Sequence, residues 1–247
     1  MFSFLKKAPS SLPGFTNIAR DIHSHILPGI DDGAPNMEAS LELIKGLYNL
    51  GIHKAVATPH IIADMYRNTP EKINSVLARV KLACAQTGIL MELSAAAEYM
   101  LDEYFMELLR KKEPLLTVAN NVVLTELSYS TPPDNLEEIA FEIITNGYQP
   151  IMAHPERYFF YQKNYDSFFR LKELGFLLQV NLLSLTGYYG APVTKAAKFI
   201  FEKNLIDFVG TDMHHSRHLD ILSKKENIAI FKKYLGDRMY NDFAGIL

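Results

Sequence analysis

Seven short apolar runs recur along this chain, at 17–23, 54–60, 90–96, 121–127, 149–155, 176–182 and 206–212. Each is too short for a good helix and reads as a strand buried on both faces. Helical patterns fill several of the gaps. In 36–51, Leu41, Ile44, Leu47 and Tyr48 share one face, and Gly51 caps the end. Segment 69–88 opens on Thr69 and Pro70 and stops at Gly88, while 133–147 and 164–175 also end in glycine. Strand and helix in alternation predict a parallel α/β sheet. Seven units in one domain favour a closed or distorted barrel over an open doubly wound sheet. No glycine-rich dinucleotide loop follows the first run, which argues further against the open alternative.

The 247 residues and 48% apolar content suffice for one large core. A net charge of −3 gives no electrostatic reason to expect nucleic acid. No apolar run approaches the roughly 20 residues of a membrane span. The opening "MFSFLKKAPSSLPGF" has two lysines but no apolar stretch after them, so it reads as no signal peptide. Residues 1–18 are expected to form an arm before a single domain at 19–247. Cys84 is the single cysteine, so no internal disulfide can form, which suits a cytoplasmic protein.

Candidate chemistry falls at the ends of these runs. His23 and His25 close the first and His60 the second; Glu98 follows the third, and Glu126 lies near the end of the fourth. His154 closes the fifth, Asp212 and His214 the seventh. In a parallel barrel the C-terminal strand ends meet at one mouth, where active sites lie. In "HSH" and "DMH" the paired residues are two apart and share a face. Asp21 shares that parity and reads as a carboxylate orienting an imidazole. Asp31 and Asp32 lie on the loop above, and one of them could reach in. The sixth run offers the neutral Gln179 and Asn181. Taken singly, a histidine ending a strand is more often an ordinary packed or surface residue than a ligand. His53, His215 and His218, which fit the pattern less well, are left at the surface or in support behind the ligands. A carboxylate bordering a buried apolar strand, as at Glu98 and Glu126, is costly unless it is paired or metal-bound. Nine donors without a thiolate suit manganese, iron or zinc, and are too many for one ion. Two or three ions sharing a carboxylate would use them and attract an anion such as phosphate.

The motifs "DIHSH…GIDDG", "TPH", "AAAEY", "LTELS", "AHPERY" and "GTDMH", in this order, resemble the PHP (polymerase and histidinol phosphatase) superfamily. The resemblance is closest to bacterial PHP-type protein-tyrosine phosphatases of the CpsB/CapC group. It implies a distorted (β/α)7 TIM-like barrel with two or three divalent ions, manganese foremost, with iron or zinc as alternatives. One ion would be held by His23, His25, Glu98 and Asp212, a second by Glu98, Glu126 and His154, a third by Asp32, His60 and His214. Of the acidic pair Asp32 matches the ligand position, which leaves Asp31 as a turn residue. Arg157 and Arg217 match the phosphate-binding positions, where a guanidinium fork suits a phosphoryl group. Two features depart from the family pattern: the long N-terminal arm, and a less basic "IIADMYRNTP" after His60.

The implied activity is hydrolysis of a phosphomonoester by a metal-activated hydroxide. The implied substrate is phosphotyrosine on a bacterial tyrosine kinase of capsule or exopolysaccharide synthesis. A cysteine-dependent phosphatase needs an arginine six positions after its nucleophile; Leu90 stands there relative to Cys84, which reads as a helix residue near the core. Alternatives are a histidinol-phosphate-type small-molecule phosphatase and a non-catalytic metal-binding regulatory subunit. Self-association is left open.

Overall fold

In a computed structural model, which describes residues 14–243, local signals set the helix starts. The Asn36 side chain accepts from Ala39 N–H and opens α1 (Met37–Asn49). Thr69 accepts from Lys72 N–H at the start of α2 (Pro70–Thr87), and Gly88, at φ 72°, closes that helix in the left-handed region glycine tolerates. Asp102 caps α3 (Glu103–Arg110) through Phe105 N–H. The remaining helices are α4 (Leu136–Thr145), α5 (Asp166–Glu173), α6 (Ala191–Glu202), α7 (Ser216–Leu222) and α8 (Lys225–Leu235).

The strands are β1 (Lys54–Ala57), β2 (His60–Ile61), β3 (Glu92–Ala95), β4 (Glu98–Met100), β5 (Val122–Glu126), β6 (Gln149–Ala153), β7 (Leu177–Asn181) and β8 (Phe208–Gly210). All pair in parallel, as β1-β3 and as β2-β4-β5-β6-β7-β8. β1 and β2 are one stave broken at Pro59, which has no N–H to give. The Pro59 carbonyl still accepts from Glu98 N–H at 3.1 Å. β3 lies in the third run, and β4 continues the same stave just past that run's end.

The first run is not a regular strand. It is an extended segment held by single parallel bridges, Asp21 to Ala55 and Ser24 to Met213. These join it to β1 on one side and to the chain just past β8 on the other, so seven staves close into a distorted barrel. The ladder fails locally for a physical reason. His23 N–H turns to Asp21 Oδ1 at 3.4 Å, and Asp21 also takes the Thr211 N–H and hydroxyl. Side chains thus interrupt a ladder whose other bonds stay on the backbone, such as Asp21 N–H to Lys54 O and Asp212 N–H to His23 O.

Ile22, Val56, Leu124, Ile151 and Phe208, from five different staves, fill the lower barrel interior. Burying each contributes about 1.5–3 kcal/mol. A larger cluster packs the helices against the staves, with Phe105, Phe168, Phe176 and Phe231 among its bulkiest members. Cys84 is buried on α2, as its helix position predicts. Along β5 the period of two places Leu124 in this plug and Glu126 above it. The apolar interior thus ends where the polar mouth begins.

Of the expected arm, residues 1–13 lie outside the described residues. Phe15 and Ile18 are buried, and Phe15 packs on Phe231 with ring centroids 5.3 Å apart. No helix among the described residues is long and apolar enough to cross a membrane.

Candidate metal centre

Glu98 stands at the middle of the mouth, fully buried at the start of β4. Its Oε2 lies 3.2 Å from His23 Nε2, 3.4 Å from His25 Nε2 and 3.1 Å from His60 Nδ1, and its Oε1 lies 3.1 Å from His154 Nε2. Four imidazoles from three other staves thus meet one carboxylate. Glu126 Oε1 is 2.8 Å from His60 Nδ1, and Asp212 Oδ1 is 3.4 Å from His23 Nε2. Asp32 Oδ1, half exposed on its loop, is 3.4 Å from both His60 Nε2 and His214 Nε2. All nine donors expected from the sequence therefore converge at one place.

Their grouping differs in part from the three sets expected. Donor atoms within mutual reach of one ion form the sets His25–Asp32–His60–His214, His23–His154–Asp212, His23–His25–Glu98 and His60–Glu98–Glu126. Glu126 thus shares a set with His60, and His154 shares one with His23 and Asp212. His154 leaves β6 at φ 34°, ψ 52°, and Asp212 sits at φ 49°. Non-glycine residues held in the left-handed region cluster at functional sites.

The donor set fits divalent ions on three observations. Glu98 Oε2, Glu126 Oε1, His60 Nδ1 and His154 Nδ1 are buried without a hydrogen-bond partner, although several lie within 3.1 Å of one another. The His23 and His25 Nε2 atoms face each other at 3.2 Å, a spacing that two ligands of one ion share. The donors are imidazole nitrogens and carboxylate oxygens without thiolate, the chemistry of manganese, iron and zinc sites.

Electrostatics tie the same residues together. Burial opposes the Glu98 charge, but His23 and His60 outweigh it and hold the carboxyl well below the usual carboxylate range. Burial pushes His154 down to about 4, leaving a neutral imidazole with a free lone pair near neutral pH. Burial also opposes the Arg157 charge, and Asp212 more than restores it, through Arg157 Nη1 donating to Asp212 Oδ2 at 2.6 Å. The cavity above, about 550 Å³, is lined by Asp32, Glu126, Arg157 and Arg217 among others, so both predicted arginines reach the mouth. Arg217 is exposed, with its guanidinium 5.6 Å from the Tyr188 ring centre.

Behind the donors lies a buried layer that the sequence reading placed only in part. Asp21, expected to orient an imidazole, reaches none; it binds Thr211 and the His23 backbone, and burial lifts its carboxyl to about 6. The carboxylate that does orient a histidine is Asp31, expected to be only a turn residue. Its Oδ2 accepts from His25 Nδ1–H at 2.8 Å, while Oδ1 takes Gly33 N–H at 3.0 Å. For His23 the acceptor is an amide. Gln179 Oε1 accepts from Nδ1–H at 2.8 Å, Gln179 Nε2 donates to Asn181 Oδ1 at 2.9 Å, and Asn181 Nδ2 donates to Asp212 Oδ2 at 2.7 Å. These bonds fix both tautomers with Nε2 facing the centre. Gly210 leaves room for this: a Cβ there would lie 2.7 Å from Gln179 Nε2 and 2.8 Å from His23 Cβ. His53 and His215 are exposed, whereas His218 is buried with Nδ1 3.1 Å from Asp212 O.

Gln179→Leu is expected to weaken ion binding by about 10–100-fold. Titration against a chromophoric chelator measures this, and unchanged affinity would reduce Gln179 to packing.

The chain matches the CpsB/CapC family, described as capsular polysaccharide synthesis, over residues 19–243. It is 27% identical over 219 residues to the tyrosine-protein phosphatase YwqE of Bacillus subtilis, covering 89% of this chain and 86% of that one. It is 30% identical over 194 residues to the putative tyrosine-protein phosphatase CapC of Staphylococcus aureus, covering 78% and 76%. Crystal structures of YwqE and of CpsB from Streptococcus pneumoniae are described as unique metal-dependent tyrosine phosphatases. The fold superposes on this pair's structure with a TM-score of 0.79 at 28% identity, over 89% of this chain and 87% of that one. Motif order, barrel and family match agree: the chain belongs to the CpsB/CapC family.

Proposed function

We propose that the chain is a metal-dependent protein-tyrosine phosphatase acting on the phosphotyrosine tail of a bacterial tyrosine kinase of capsule synthesis, in the cytoplasm. The observation that carries this reading is the convergence of nine imidazole and carboxylate donors beside a partly buried arginine already oriented by Asp212. The relatives' names and the family's role in capsular polysaccharide synthesis support the substrate class. Residues 19–247 act as the catalytic domain, preceded by the arm at 1–18.

His23, His25, Asp32, His60, Glu98, Glu126, His154, Asp212 and His214 would hold two or three divalent ions, manganese foremost. Bound there, such ions supply a nucleophilic water near neutral pH and neutralise phosphoryl charge. The chain's own groups do the rest. Asp212 engages one edge of the Arg157 guanidinium, leaving other N–H groups for phosphoryl oxygens. Arg217 adds a second cation at the rim. Gln179 and Asp31 keep the His23 and His25 protons on Nδ1, away from the reaction. A phenolate leaving group, with a pKa near 10, departs with less protonation than an alkoxide needs.

The test is a phosphatase assay of the purified chain on p-nitrophenyl phosphate, a phosphotyrosine peptide and histidinol phosphate. Hydrolysis of the first two is expected, lost with a chelator and restored by Mn²⁺. Activity that survives chelation would sink the metal mechanism, and a preference for histidinol phosphate would sink the substrate class.

A further inference from the structure

Three tyrosines at the mouth take no part in the chemistry above. Tyr129 follows β5, and Tyr188 and Tyr189 follow β7; all three line the same cavity as Arg157. The Arg157 guanidinium carbon lies 4.3 Å from the Tyr189 ring centre and 5.1 Å from that of Tyr129. The phosphate-binding arginine is therefore flanked by arenes from both neighbouring strand ends, with Asp212 on one edge. Such cation–arene contacts hold a guanidinium plane in place.

The two flanking rings differ. Tyr189 has its hydroxyl buried without a partner, and one face is occupied by the guanidinium. Tyr129 rests on His154 and Tyr158, with centroids 5.9 and 5.4 Å away, yet it remains 37% exposed at the cavity rim. Support from beneath fixes its position, so its wet surface is a preformed wall. Rigid aromatic surface at a mouth binds an apolar ring at little conformational cost.

We propose that Tyr129, with Tyr189 opposite, forms an aryl subsite that receives the ring of an aryl phosphate whose phosphoryl group sits on Arg157. This rests on the phosphatase reading and adds the origin of its selectivity: the site favours aryl over alkyl phosphomonoesters through ring contact as well as through the leaving group. Tyr129 is here a specificity-determining residue, and the ester oxygen's chemistry is left to the centre below.

Non-hydrolysable phosphonates separate ring contact from leaving-group reactivity. Calorimetric titration of the Mn²⁺-loaded protein is expected to show phenylphosphonate binding about tenfold or more tighter than methylphosphonate. Tyr129→Leu keeps apolar bulk and removes the ring. It is expected to shrink that ratio by about three- to tenfold, the range of a lost aromatic contact. Tyr129→Phe should preserve the ratio. Ion content, measured on each variant, must match the parent, so that the change is read at the subsite and not at His154. An equal loss for both phosphonates would overturn the subsite and make Tyr129 a prop for Arg157; so would a ratio that Tyr129→Leu leaves intact. A parent protein that binds neither phosphonate and hydrolyses no phosphomonoester would overturn the phosphatase reading itself. Phosphonate binding without a phenyl advantage would overturn only the subsite.

Discussion

Glu98→Gln is expected to strip the protein of most of its ions and to lower kcat by at least about a thousandfold. The side chains are nearly isosteric, so packing survives. What changes is charge and donor polarity. The carboxylate faces four imidazole nitrogens within 3.4 Å and stands at the centre of them. An amide there loses the negative charge, and its N–H groups can donate to the imidazole lone pairs that would otherwise face an ion. Oxyanion-stabilising donors cost about 10²–10³ in rate when removed singly, and Glu98 belongs to two of the candidate ion sets, so its loss would affect more than one such element. Elemental analysis of the purified variant and an assay on p-nitrophenyl phosphate check both parts. Full ion content with near-parental activity would exclude Glu98 from the centre.

The second large effect is expected at Arg157. Arg157→Lys should lower kcat/KM by about 10²–10³-fold while leaving ion content within the parental range. A lysine keeps the charge but has no planar fork. It cannot donate to Asp212 at one edge and grip two phosphoryl oxygens at the other. It also loses the flat face that stacks on Tyr189. The loss should extend to inorganic phosphate as an inhibitor, because the group binds oxygens common to substrate and product. A lysine variant with parental phosphate inhibition would show that Arg157 serves Asp212 alone. Loss of ions in this variant would point the same way.

Much of the site was legible because the fold enforces it. In a parallel barrel, residues closing successive strands must meet, so histidines and carboxylates at the ends of short apolar runs predict a shared cavity before any coordinates. Asp31 and Gln179 escaped that logic for different reasons. Asp31 sits in a loop, where sequence gives no parity, and its contact with His25 comes from the backbone path through Gly33. Gln179 did carry a signal. It is two residues before Asn181 on a strand pointing into the mouth, but a neutral amide lacks the charge cost that marks Glu98. The irregularity of the first stave was hidden too, because part of its hydrogen bonding goes to side chains that apolar periodicity does not register. The partition of donors into sets follows from side-chain rotamers and from the left-handed turns at His154 and Asp212, which spacing does not encode.

The stave that closes the ring is stitched by backbone bonds on both sides and, in addition, by Asp21, Ser24, Thr58 and Thr211 side chains, and it carries His23 and His25. Backbone ladders tolerate many residues. The side-chain stitches make this stave depend also on which residues it has. Ions bound at His23 and His25 would bridge it to the opposite wall and so act as a clasp on the seam. Any free energy of ion binding is then also free energy of keeping the ring shut. Occupancy and shape become a single thermodynamic variable, and a cell that limits the ion loosens the architecture along with the chemistry.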